Sequence, residues 1–64
     1  MNEKFRNFLI RQWEREFKRV NGEERKMTFE RGRFCTHGQF TRRITTEEVM
    51  ASIERLQQRS DFPK

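Results

Sequence analysis

"KMTFERGRFCTHGQFTRRIT", residues 26–45, decides the fold of this 64-residue chain. It is rich in Thr and Phe, is broken by Gly32 and Gly38, and lacks the three-and-four spacing of an amphipathic helix. That composition predicts a β-hairpin over 27–45. Gly38 can take a positive φ, so the turn is expected within Cys35-Thr36-His37-Gly38. With those four residues as the loop, Phe29 faces Ile44 and Glu30 faces Arg43, one apolar and one opposite-charge cross-strand pair. A two-residue His37-Gly38 turn would instead set Arg33 opposite Arg42, which is repulsive. The competing reading is a short third helix across 23–31.

The flanking segments are helical in pattern. In "NEKFRNFLIRQWEREFKRV", Phe5, Leu9, Trp13, Phe17 and Val20 recur at three and four and share one arc, with Ile10 at its edge. Asn2 can cap the start and Asn21-Gly22 supplies a stop, which predicts a helix over 3–20. In "TTEEVMASIERLQQR", Val49, Met50, Ile53 and Leu56 share an arc. Thr45 and Glu48 have the capping-box spacing, which predicts a helix over 46–59. Residues 60–64 read as a tail, in which Pro63 ends any helix and Phe62 could fold back on the core. The expected fold class is α+β: a single small domain over 1–64, ordered α-β-β-α. A lone two-stranded ribbon is weak in water, so the hairpin is expected to pack on the helices through Met27, Phe29 and Ile44.

Hydrophobic residues are 31% and charged residues 39% of the chain, a balance that leans toward disorder. Seven Phe and one Trp counter it, because each large aromatic buries much area. A core of this size is marginal, and a partner or a second copy would complete it. The single cysteine excludes an intrachain disulfide framework and points to a reducing, cytoplasmic setting. The start, "MNEKFRNFLIRQW", holds no long apolar run, so neither a secretory signal nor a membrane span is expected.

Formal net charge is +5, and residues 31–43 account for +4 of it, with Arg31, Arg33, Arg42 and Arg43 and no acid. A concentrated basic patch is the footprint of a phosphate-backbone binder. Guanidinium groups pair with phosphate, and Phe34 or Phe40 could stack on bases. His37 would add a contact when protonated. Arg11, Arg15 and Lys18 form a second basic stripe on the first helix, opposite its apolar arc, although Glu14 can pair with Lys18 as on any solvated surface. The second helix opens with Glu47-Glu48, which suits its dipole but repels phosphate, so it makes a poor recognition helix.

Cys35 and His37 are the chain's only cysteine and only histidine. Structural zinc needs four ligands, and one of each leaves the set incomplete. A Cys–His nucleophilic pair would need a third orienting group and a water-excluding pocket, which so short a chain can hardly build. No catalytic residue, metal ligand or cofactor site is therefore expected. The leading reading is a small, basic, non-enzymatic protein that binds DNA or RNA through an Arg/Phe-rich hairpin. The alternative is an adaptor or inhibitor that docks the same surface on an acidic protein partner. A homodimer is compatible with both.

Overall fold

The computed structural model describes residues 2–38 and 41–60, with the Ser60 side chain excepted. The first helix, α1 (Glu3–Asn21), begins where the Asn2 Oδ1 accepts the Lys4 backbone N–H at 2.7 Å. That bond satisfies one of the orphan donors of the first turn. The helix ends where Gly22, at φ 74°, donates its N–H to the Lys18 carbonyl at 2.8 Å. A left-handed residue closes a helix at least cost when it lacks a Cβ. The last helix, α2 (Thr46–Ser60), starts behind Thr45, whose Oγ1 accepts the Glu48 N–H at 3.2 Å. The Thr45 hydroxyl in turn donates to the Glu48 carboxylate at 3.4 Å, so the capping spacing is used with a hydroxyl as the second donor. Both helices lie within one residue of their predicted bounds.

Between them the chain makes three strands where two were expected: β1 (Lys26–Glu30), β2 (Arg33–His37) and β3 (Arg42–Ile44), antiparallel in the order β1-β2-β3. The third-helix reading across 23–31 is also overturned, since β1 occupies it. The turn predicted at residues 35–38 is not there. Arg31 (φ 51°) and Gly32 (φ 76°) form it instead, with the paired positive φ values of a type I′ hairpin loop. Consequently Phe29 pairs with Phe34 rather than Ile44, and Glu30 pairs with Arg33 rather than Arg43. The reason is burial. A loop at 35–38 would take Cys35 and Thr36 out of the sheet. The tight turn puts Phe34 in the middle strand, between Phe29 on β1 and Ile44 on β3. Gly38 is not left-handed; a Cβ there would lie 3.1 Å from the Arg25 Nε.

The helices pack on each other and cover one face of the sheet. Leu9, Trp13, Met27, Phe34, Ile44, Val49, Ile53 and Leu56 form the core, with Ile10, Phe17, Val20 and Phe29 against it. Phe34 is wholly buried, and its ring meets Phe29 edge-on at 5.0 Å between centroids. Trp13 stacks on Phe17 at 5.0 Å and donates its indole N–H to Ser52 Oγ at 3.1 Å, tying α1 to α2. Two residues of the apolar arcs, Phe5 and Met50, are exposed at 42% and 49%, so each arc is wider than the surface it packs on. Glu16 takes a buried place on α1, with Oε1 3.4 Å from the Gln12 amide and 3.8 Å from Arg19, while Oε2 has no partner.

Two substitutions test this register. Phe34→Ala is expected to cost roughly 3–5 kcal/mol, most of what a domain this small possesses. Arg31→Asn is expected to gain about 0.5–1 kcal/mol, because Asn tolerates the left-handed turn position better than Arg. Urea titration followed by circular dichroism reads both. A stable Phe34→Ala variant, or a destabilised Arg31→Asn variant, would contradict the pairing.

Candidate functional site

The sheet register sorts the basic residues by face. Directly opposed residues share a face, so the rows Lys26–His37, Thr28–Cys35–Arg43 and Glu30–Arg33 point away from the helices. The rows Met27–Thr36–Arg42 and Phe29–Phe34–Ile44 point toward them. The four arginines of residues 31–43 therefore do not form one cluster. Arg31 and Arg33 stand at the β1–β2 turn, while Arg42 pairs with Thr36, near the far end of β2. Arg42 and its neighbour Arg43 face opposite sides of the sheet.

The two aromatic candidates fare differently. Phe34 is fully buried and cannot stack on a base, which corrects its place among the expected contact residues. It lies on the middle strand, in a run of three buried residues from Phe34 to Thr36, and its ring belongs to the core. Phe40 lies outside the described residues, as does Phe62. His37 is half-buried on the outer face, where its Nε2 and the Thr28 Oγ1 share a hydrogen bond of 2.7 Å. Cys35, two residues away on the same face, is only 2% exposed. Among the described residues, no group of three or more His, Cys, Asp or Glu side chains converges on a point.

The cations instead frame two hollows. One, of about 340 Å³, lies between α1, the sheet and α2. Trp13 and Ile44 form its apolar wall, Thr36 and Ser52 offer hydroxyls, and Arg25, Arg42 and Arg55 rim it, with Glu48 as its one acid among the described residues. Glu48 is 3.6 Å from Arg42, so that pair is partly neutralised. Arg25 stacks its guanidinium 5.0 Å over the Phe17 ring and passes close to Gly38, whose missing side chain leaves it room. Among the described residues, neither Arg25 nor Arg55 has a carboxylate within 4 Å.

The second hollow, of about 250 Å³, lies between α1 and the approach to β1, and is framed by Arg11, Arg15, Lys18, Arg25 and Lys26. Its two acids are both engaged. Glu14 accepts the Met27 backbone N–H at 2.8 Å, and Glu24 pairs with Lys18 at 3.0 Å. The Lys18 hydrogen bond, then the charges of Lys18 and Lys26, hold the Glu24 carboxyl below its ordinary value near 4.5, so it stays ionised at neutral pH. Arg25 lines both hollows and joins them. Among the described residues, seven cations and three carboxylates surround the pair. Arg11, Arg15 and Lys18, the stripe read on the first helix, all line this second hollow.

Arg25 and Arg55 were missed in the sequence. Arg55 could have been found, since Glu48, Ser52 and Arg55 follow at four and three on one side of α2. Arg25 carries no local signal; only the fold brings it over Phe17.

No family model, curated protein or solved structure matches this chain. No helix among the described residues is long and apolar enough to cross a membrane.

Burial of Cys35 sets an accessible test of this geometry. Its thiol is expected to resist a water-soluble disulfide reagent in the native protein and to react at once in denaturant. Rapid native reaction would contradict the burial of Cys35.

Proposed function

We propose that the chain binds nucleic acid as a non-enzymatic protein, holding the sugar–phosphate backbone along the two joined basic hollows. The observation that carries this reading is Arg25, which lines both hollows and makes them one surface. Arg55 and Arg25 present guanidinium forks with no carboxylate among the described residues competing for them, a suitable arrangement for phosphate oxygens. Lys18 and Lys26 contribute point charges beside them, and Arg11 and Arg15 extend the surface along α1. No described aromatic stands free on this surface to stack on bases. Binding is therefore expected to be dominated by phosphate contacts, steeply salt-dependent and weakly discriminating in sequence.

Relative to the sequence reading, the contact surface moves away from the hairpin tip. Arg31 sits in the β1–β2 turn, at the opposite end of β1 from Lys26, and is assigned no contact.

The alternative partner is an acidic protein surface. The Trp13–Ile44 wall favours it, because an apolar wall suits a side-chain anchor better than a phosphate chain. A pull-down from native lysate with and without nuclease separates the two, and a stoichiometric protein retained after nuclease favours the protein partner.

The direct test is fluorescence anisotropy of labelled duplex and single-stranded oligonucleotides over a salt series. Arg25→Ala and Arg55→Ala are each expected to weaken binding and lower the log–log salt slope by about one. Arg31→Ala is expected to leave the slope unchanged. Affinity no better than that of a generic basic peptide, or loss confined to Arg31→Ala, would refute the assignment.

A further inference from the structure

We infer that the chain forms a two-fold dimer by docking the α1–α2 seam of one copy onto the same seam of another. The large hydrophobics that stand exposed among the described residues are Phe5, Phe8 and Met50, and all three lie on the two helices. Phe8 and Met50 are about half exposed and face one shallow hollow between the helices, lined otherwise by Leu9, Gln12, Ile53 and Gln57. Not one of those six residues is charged, in a chain whose charged fraction is 39%. An uncharged strip on so charged a surface marks a contact, since scattered apolar residues need no explanation but a contiguous group does.

The flanks of the strip identify the occupant. On α1, Lys4, Arg11 and Arg15 stand four residues before and three and seven after Phe8, all exposed on its outer side. On α2, Glu47 and Glu54 stand three before and four after Met50, again exposed on its outer side. Across the seam the surface therefore runs basic, uncharged, acidic. Phosphate would be repelled by the acidic flank, so beyond Arg11 and Arg15, which border both faces, this face adds nothing to the nucleic-acid surface. A second copy fits it. Rotation by 180° about an axis running along the seam lays the basic flank of each copy over the acidic flank of the other and apolar strip on apolar strip. Such an isologous contact closes as a dimer. It joins four helices around a shared seam, in the manner of a bundle, and adds apolar burial to a core that is marginal by itself.

Sedimentation equilibrium of the full chain tests this. A mass twice the 8.0 kDa of the chain is expected. Met50→Glu puts a charge in the strip at an exposed position and is expected to weaken the dimer by roughly tenfold or more while circular dichroism stays unchanged. Glu47→Lys with Glu54→Lys makes both flanks basic without touching the strip, and is expected to dissociate the dimer most strongly at low salt. A concentration-independent monomer, a larger assembly, or a dimer indifferent to both variants would overturn the inference. The oligonucleotide titrations with Arg25→Ala and Arg55→Ala change residues outside the seam and its flanks, so the two sets of outcomes are read independently.

Discussion

The Phe29–Phe34–Ile44 rung governs this small fold. It runs across all three strands, and its middle member is the most completely buried large side chain among the described residues. In a sheet, a slip of one residue turns every side chain to the other face. Here such a slip would bring Arg33 or Cys35 inward and expel Phe34 into water. The rung therefore dictates that Thr36 and Arg42 face the helices while Cys35, His37 and Arg43 do not. The arrangement of charge, and with it the proposed function, follows from where one phenylalanine must go.

The helices were legible because their signals are local. Asn2, Gly22 and Thr45 act within a turn of the helix ends they mark. The apolar spacing located the buried side of each helix, and erred only at margins such as Phe5 and Met50, where packing ran out. The sheet was less legible because two competing glycines offered turns. Gly38 looked the better pivot, and the residue before Gly32 is an arginine, a poor candidate for a left-handed position. What settled the contest is non-local: Phe34 needs both Phe29 and Ile44, which stand five and ten residues away. The same limit applies to the basic surface. The helix stripe of Arg11, Arg15 and Lys18 was visible as a spacing, whereas Arg25 joins it only through its stacking on Phe17.

Opposite charge is spread unevenly over the two sides of α1. Toward β1, the nearby acids are consumed by structure, Glu14 on α1 by a backbone donor and Glu24, in the segment after α1, by Lys18, so the cations there remain in excess. Toward α2, Lys4, Arg11 and Arg15 border the seam on one side and Glu47 and Glu54 on the other, with Arg11 and Arg15 standing between the two surfaces. One helix can thus serve a phosphate-binding surface on one flank and a self-complementary surface on the other, because the partners available to its charges differ.

The Glu14 contact with the Met27 N–H has a consequence for solubility. A sheet of three strands has two edges, and each open edge is a template on which stray strands can add. On β1 this outward-facing amide is already occupied, by a carboxylate that would repel an approaching carbonyl row. On β3 the edge is only three residues long and carries two arginines. An 8.0 kDa protein with a slim core and an exposed apolar seam thereby has both sheet edges guarded by charge against strand addition, and its helices carry the exposed apolar surface.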